Sequence, residues 1–151
     1  MLEPEARAIL RHLQAEPALT AQEIAERTGL SIGKVTRRLD RLQEDGILRG
    51  QVAIIDWGKL GYSVQVSLRI TLDKTKARAF DDFLDAARGV REVLAIQTFL
   101  GRVDVRLSLI AKDLIHYQAI YRDQILTLPH LADIEALVTV ASVKSDKVLP
   151  L

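Results

Sequence analysis

Cysteine is absent from all 151 residues, which removes disulfides, thiolate nucleophiles and every cysteine-based zinc site. Histidine is almost as scarce: His12, His116 and His130 are the three in the chain, at separations that match no metal-ligand spacing. No apolar run approaches the roughly 18 residues that a membrane-crossing helix needs, and MLEPEARAIL has no positively charged segment ahead of an apolar stretch, so the expected location is the cytoplasm. Proline and glycine are sparse, at 4 and 8 residues, and 48% apolar with 27% charged residues excludes a disordered or fibrous chain. An excess of one charge is missing too. The net charge is +1, so the total gives no sign of a polyanionic partner.

What is present is a change of hydrophobic period near residue 50. Before it the spacing is helical: Ala6, Ile9, Leu10 and Leu13 form one stripe of a helix that Pro17 ends. Thr20 followed by Glu23 is a capping-box pattern, predicting a second helix from Ala21 that buries Ile24 and Ala25 and stops at Gly29. Ser31 caps a third, whose buried face is Ile32, Val35, Leu39 and Leu42 and which Gly46 closes. The short Gly-containing connection between the second and third helices is that of a helix-turn-helix unit.

After Gly50 the period becomes two. Gln51 to Ile55 reads as a short strand, and Val64, Val66, Leu68, Ile70 and Leu72 alternate with polar residues along a half-buried one. A helix over about 74–88 follows, burying Phe80, Phe83, Leu84 and Ala87; then strands over 93–100 and 103–110, a helix over about 113–126 with Leu114, Tyr117, Tyr121 and Ile125 on one side, and a last strand over 134–143. This is β-α-β twice over. The predicted class is α+β: a winged-helix-like helix-turn-helix domain over 1–50, a linking strand and linker over 51–62, and a ferredoxin-like βαββαβ domain over 63–151 with an antiparallel sheet and both helices on one face.

Counted locally, the charge says the opposite of the total. Residues 1–30 carry three basic and five acidic side chains, a net of −2, whereas residues 31–41 carry four basic and one acidic, a net of +3. Lys34, Arg37, Arg38 and Arg41 fall at i, i+3, i+4 and i+7, so they share one helical face, expected to point outward opposite Val35, Leu39 and Leu42. Such a helix fits the DNA major groove, where arginine bonds guanine or neutralises phosphate. Thr36 adds a hydroxyl for phosphate or base, Ser31 a cap, and Gly33 room for close backbone approach.

The motifs Ala-Arg-Ala-Ile-Leu (6–10), Ala-Glu-Arg-Thr-Gly-Leu-Ser (25–31), Val-Thr-Arg-Arg-Leu-Asp-Arg-Leu-Gln-Glu-Asp-Gly-Ile-Leu-Arg-Gly (35–50) and Phe-Leu-Gly-Arg-Val-Asp (99–104), with Leu128-Pro129 and Val143-Lys144, occur in that order. In this the chain resembles the Lrp/AsnC family of feast-or-famine transcriptional regulators. The resemblance spans essentially the whole sequence. It implies a double-stranded DNA partner read by the third helix, with Arg38 and Arg41 at basic positions common in the family. It also implies a small-molecule effector, usually an amino acid, with no other cofactor, and a homodimer that assembles further, often into an octamer.

The resemblance places Gly101, Arg102 and Asp104 in the family's Gly-x-x-Asp loop at the effector pocket. Asp104 either meets an effector amine or holds the turn, and Arg102 either meets a carboxylate or is solvated. Three departures stand out. The usual early pair of aspartates is replaced by Leu2-Glu3-Pro4-Glu5, the usual Gly-Tyr by Gly50-Gln51, and two last-strand threonines by Ile134 and Ala136. The lost hydroxyls imply an apolar or aromatic effector.

No nucleophile with an adjacent base and no pair of carboxylates marks an enzyme, and Asp81, Asp82 and Asp85 read as a solvated helix face. The rival expectation is a metabolite sensor whose helical domain binds protein instead of DNA.

Overall fold

In the computed structural model, which describes residues 2–145 and 148–151, the chain divides into two compact units. The first comprises Met1–Ile54 with Lys144–Leu151, and the second Ile55–Val143. The returning segment is a departure from the expected boundaries, which assigned everything after residue 63 to one domain. It is held on the first unit by Gln14, whose amide accepts from Leu149 N–H at 2.6 Å and donates to Leu149 O at 3.4 Å, and by Arg11 Nε, which donates to Leu151 O at 3.0 Å.

Three helices form the first unit: α1 (Pro4–Ala15), α2 (Ala21–Thr28) and α3 (Ile32–Glu44). The capping box is present, with Glu23 N–H on the Thr20 hydroxyl and the Glu23 carboxylate on Thr20 N–H. Gly29 ends α2 in the left-handed conformation (φ 71°), which costs glycine nothing and other residues a Cβ clash. Ile9, Ile24, Ala25 and Val35 make the core, with Leu13, Leu19, Leu30 and Leu39 packed against it. Ile32 is exposed, contrary to the expected stripe. It lies in the first turn of α3, at the margin of the arc that Val35 and Leu42 bury.

In the second unit the order is β1 (Val64–Leu72), α4 (Ala79–Arg88), β2 (Val93–Thr98), β3 (Val105–Ala111), α5 (Leu114–Ile120) and β4 (Leu131–Val138). The strands form one antiparallel sheet, β2-β3-β1-β4, with Ile70 opposite Val105 on one side and Ile134 on the other. This is the ferredoxin-like order. Val66, Leu68, Ile70, Leu107 and Leu109 pack with Phe83, Ala87, Ile120 and Ile125, so one face of the sheet carries the core.

Several boundaries move. Helix α4 begins at Ala79 instead of about 74, because Asp73 makes an Asx turn to Thr75 N–H at 3.0 Å, and Phe80 is left part-exposed. Both hairpin strands are shorter than expected, and β4 starts three residues earlier and ends at Val138. The helix expected over 113–126 is α only to Ile120 and then continues as a single π-turn, Tyr121–Ile125. Ile120, at the end of α5, lies in the core, whereas Leu114, its first residue, is in solvent. The strand expected over Gln51–Ile55 does not form. Val52 and Ile54 are 90% and 97% exposed, and a lone extended segment has no ladder to join.

Candidate nucleic-acid interface and effector loop

Helix α3 is set by its cap and its apolar side. Ser31 Oγ accepts from Lys34 N–H at 3.4 Å, and Val35 and Leu42 are buried with Leu39 half-buried. At 100° per residue this leaves Gly33, Thr36, Arg37, Asp40 and Arg41 on the outward face, and all five are exposed. The expected four-cation face therefore splits. Arg37 and Arg41 point outward, while Lys34 and Arg38 lie on the flank next to α1 and are half-buried.

That flank is an ion-pair network with the start of α1. Lys34 Nζ is 2.5 Å from Glu5 Oε1, and Arg38 Nη2 is 3.2 Å from Glu5 Oε2 and also pairs with Glu3. The hydrogen-bonded Lys34 ammonium, and after it Arg38, hold the Glu5 carboxyl below its ordinary range against partial burial. Arg41 Nε is 3.8 Å from Asp45, and Arg37 Nε donates to Gly33 O at 3.2 Å. Thr36 Oγ1 donates to Ile32 O at 3.0 Å, leaving its lone pairs outward. A groove of about 310 Å³ beside this network has Leu2, Ala6, Leu42 and Ile47 as its apolar wall and Arg38 and Arg41 at its rim.

Sequence reasoning missed Glu3, Glu5 and Asp40 as parts of this surface. The departure at Leu2-Glu3-Pro4-Glu5 was the only available signal, because a pairing across about 30 residues has no period. Lys74 was missed in the second unit for the same reason.

The Gly101 to Asp104 loop is built around a buried carboxylate. Asp104 is 4% exposed; Oδ2 accepts from Leu72 N–H at 2.9 Å and Oδ1 is 2.6 Å from Lys74 Nζ. Its own N–H donates to Ile70 O, and its carbonyl accepts from Phe99 N–H, both at 2.9 Å. Burial pushes the carboxyl up, but the Leu72 N–H and the Lys74 ammonium together hold it below its ordinary value. Thr71 Oγ1 donates to Arg102 O at 3.2 Å, and Gly101 takes φ 153° at an exposed tip. Arg102 is exposed as well. Ile134, half-buried, and Asp104 flank Ile70 from opposite sides, whereas Ala136 pairs with Leu68 farther along β4 and is exposed.

Two family models match the chain: winged helix-turn-helix DNA-binding over residues 6–49 and the Lrp/AsnC ligand binding domain over residues 65–149. The HTH-type transcriptional regulator Zrp of Zymomonas mobilis is 29% identical over 150 residues, 99% of this chain and 97% of that one. The DNA-binding transcriptional activator DecR of Escherichia coli is 27% identical over 151 residues, 100% of this chain and 99% of that one. Among solved structures, a transcriptional regulator of Neisseria meningitidis in complex with L-methionine superposes with a TM-score of 0.90 at 27% identity, covering 99% of this chain and 97% of that one.

Proposed function

The chain belongs to the Lrp/AsnC family of transcriptional regulators, and from that premise we propose that it reads duplex DNA with the outward face of α3. It is a DNA-binding regulator with a ligand-binding domain. In the proposed reading Arg37 and Arg41 make the first contacts, Thr36 and the bare backbone at Gly33 lie against them, Ser31 holds the helix start, and Lys34 and Arg38 flank the site. The observation that carries this is the exposure of Arg37 and Arg41 on the side of α3 turned away from its buried Val35 and Leu42.

The test is affinity for duplex DNA against salt. Each phosphate neutralised contributes about −0.9 to the log-log slope, so Arg37→Ala and Arg41→Ala should each weaken binding and flatten the slope by about 1 if they meet phosphate. Unchanged affinity in both variants sinks the recognition-helix reading.

The effector proposed is an amino acid with an apolar side chain. Its support is the Neisseria relative's complex with L-methionine together with the apolar Ile134, one strand across from the Asp104 loop on the far side of Ile70. The assembly proposed is a homodimer that forms larger oligomers in the cytoplasm, supported by the exposed apolar side chains of Val52, Ile54, Leu137 and Val140. Paired recognition helices would then meet half-sites about one helical turn, or a multiple of it, apart. Sedimentation with and without L-methionine or L-leucine tests both parts. A monomer at every concentration rejects the assembly, and no response to either amino acid rejects an apolar one as effector.

A further inference from the structure

We propose that Glu3 and Glu5 act as a carboxylate brake on non-specific DNA binding, competing with DNA phosphates for Lys34 and Arg38. The proposal rests on the recognition-helix reading. Of the four cations on α3, Lys34 and Arg38 are engaged by these two acids and Arg41 lies near Asp45, so among the described residues Arg37 is the one cation of the four with no ion pair. The exposed Asp40 stands on the same outward face. A helix whose sequence carries four cations thus offers a passing duplex two exposed ones, Arg37 and Arg41, with the other two held by carboxylates.

The acids are placed for this and not for their own helix. Glu3 is the N-cap residue of α1, where a side chain ordinarily bonds the free N–H groups, yet its carboxylate makes no cap bond and pairs with Arg38 instead. Glu5 is in the first turn, favourable for the helix dipole, but both of its oxygens reach across to α3. Pro4 between them starts the helix with its fixed φ.

The pairs are also weak enough to exchange. The Glu3 and Glu5 side chains are 55% and 32% exposed, and partly solvated pairs of this kind yield to a competing anion. A phosphate in the right register displaces them, while a misplaced one meets two carboxylates. The cost is the same for every duplex, so it leaves the ratio of specific to non-specific affinity where it was and lowers all binding together. A site held by phosphate contacts alone is released first, while one with base contacts stays bound.

The experiment is binding of the full chain to a random-sequence duplex between about 50 and 200 mM salt. The Glu3→Gln/Glu5→Gln variant should bind roughly threefold to tenfold tighter at the low end, with a slope steeper by about 1 to 2. Asp85→Asn, a charge-neutralising change on α4, should leave both where they were. Thermal melts report folding. If the double variant fails to fold, Glu3→Gln alone decides, since Glu3 contributes one exposed ion pair and no cap bond.

Unchanged affinity and slope in a folded variant overturn the brake, and so does weaker binding, which makes the acids positioning groups for the cations. Equal tightening by Asp85→Asn overturns it as well, reducing the effect to net charge. Failure of the unsubstituted chain to bind any duplex overturns this proposal together with the recognition-helix reading, whereas binding that the glutamines do not alter overturns this proposal alone.

Discussion

Asp104 carries the most consequential set of contacts of any single residue in the second unit, because both of its oxygens are taken and it is buried. Asp104→Ala leaves Leu72 N–H without an acceptor inside the fold, a loss of about 1–3 kcal/mol, measurable as a lower urea midpoint. Its pH dependence has a definite sign. The folded-state carboxyl lies below the ordinary 3.8, so the stability it contributes is fully present above that value and is lost as pH falls through the folded one. Unfolding followed from neutral to acidic pH should therefore show the unsubstituted chain losing stability below about pH 4, and Asp104→Asn losing less. The same geometry bears on the effector: an amine that used Asp104 would first have to displace Lys74 from Oδ1.

At the scale of elements, the helix-turn-helix turn and the first turn of α3 make opposite predictions for the same substitution. Gly29 is left-handed, so Gly29→Ala should destabilise the first unit by about 1–2 kcal/mol. Gly33 is helical and a Cβ there meets nothing within 4 Å, so Gly33→Ala should stabilise it by up to about 1 kcal/mol. Thermal melts read both. A stabilised Gly33→Ala that binds DNA less well would identify close backbone approach as the reason for glycine, and undiminished binding would dismiss it. Elements with a local signature, such as the Thr20 capping box and the alternation of β1, were legible in the sequence. The Gln51–Ile55 strand was not, since alternation states that a segment fits a sheet but not that a neighbouring strand exists.

On the scale of the whole molecule, two separate cores predict two separable stabilities. Ile24 and Phe83 are fully buried, one in each core. Ile24→Ala should cost about 2–5 kcal/mol and Phe83→Ala about 3–5 kcal/mol, each lowering the melting of its own unit. Differential scanning calorimetry checks this, and equal shifts of a single transition in both variants would show the units to be one cooperative body. The chain leaves the first unit at Ile54 and returns to it at Lys144, a path no periodicity announces. Gln14, an ordinary polar position of an amphipathic helix, acquires its role only because Leu149 comes back to it.

The sequence by itself determined what depends on neighbours a few residues apart: the caps, the helical and two-residue periods, the ferredoxin-like element order, and the concentration of cations between residues 31 and 41. Backbone geometry repeats over those distances, so spacing alone states which residues share a face. Tertiary structure decided which of those cations are free. Glu3 and Glu5 meet Lys34 and Arg38 only when α1 packs beside α3, and Lys74 meets Asp104 only at the end of a strand pair. Charge is counted along the chain, but it acts through space. A tally of +3 on one helix becomes a binding surface, or a restrained one, according to what the fold lays against it.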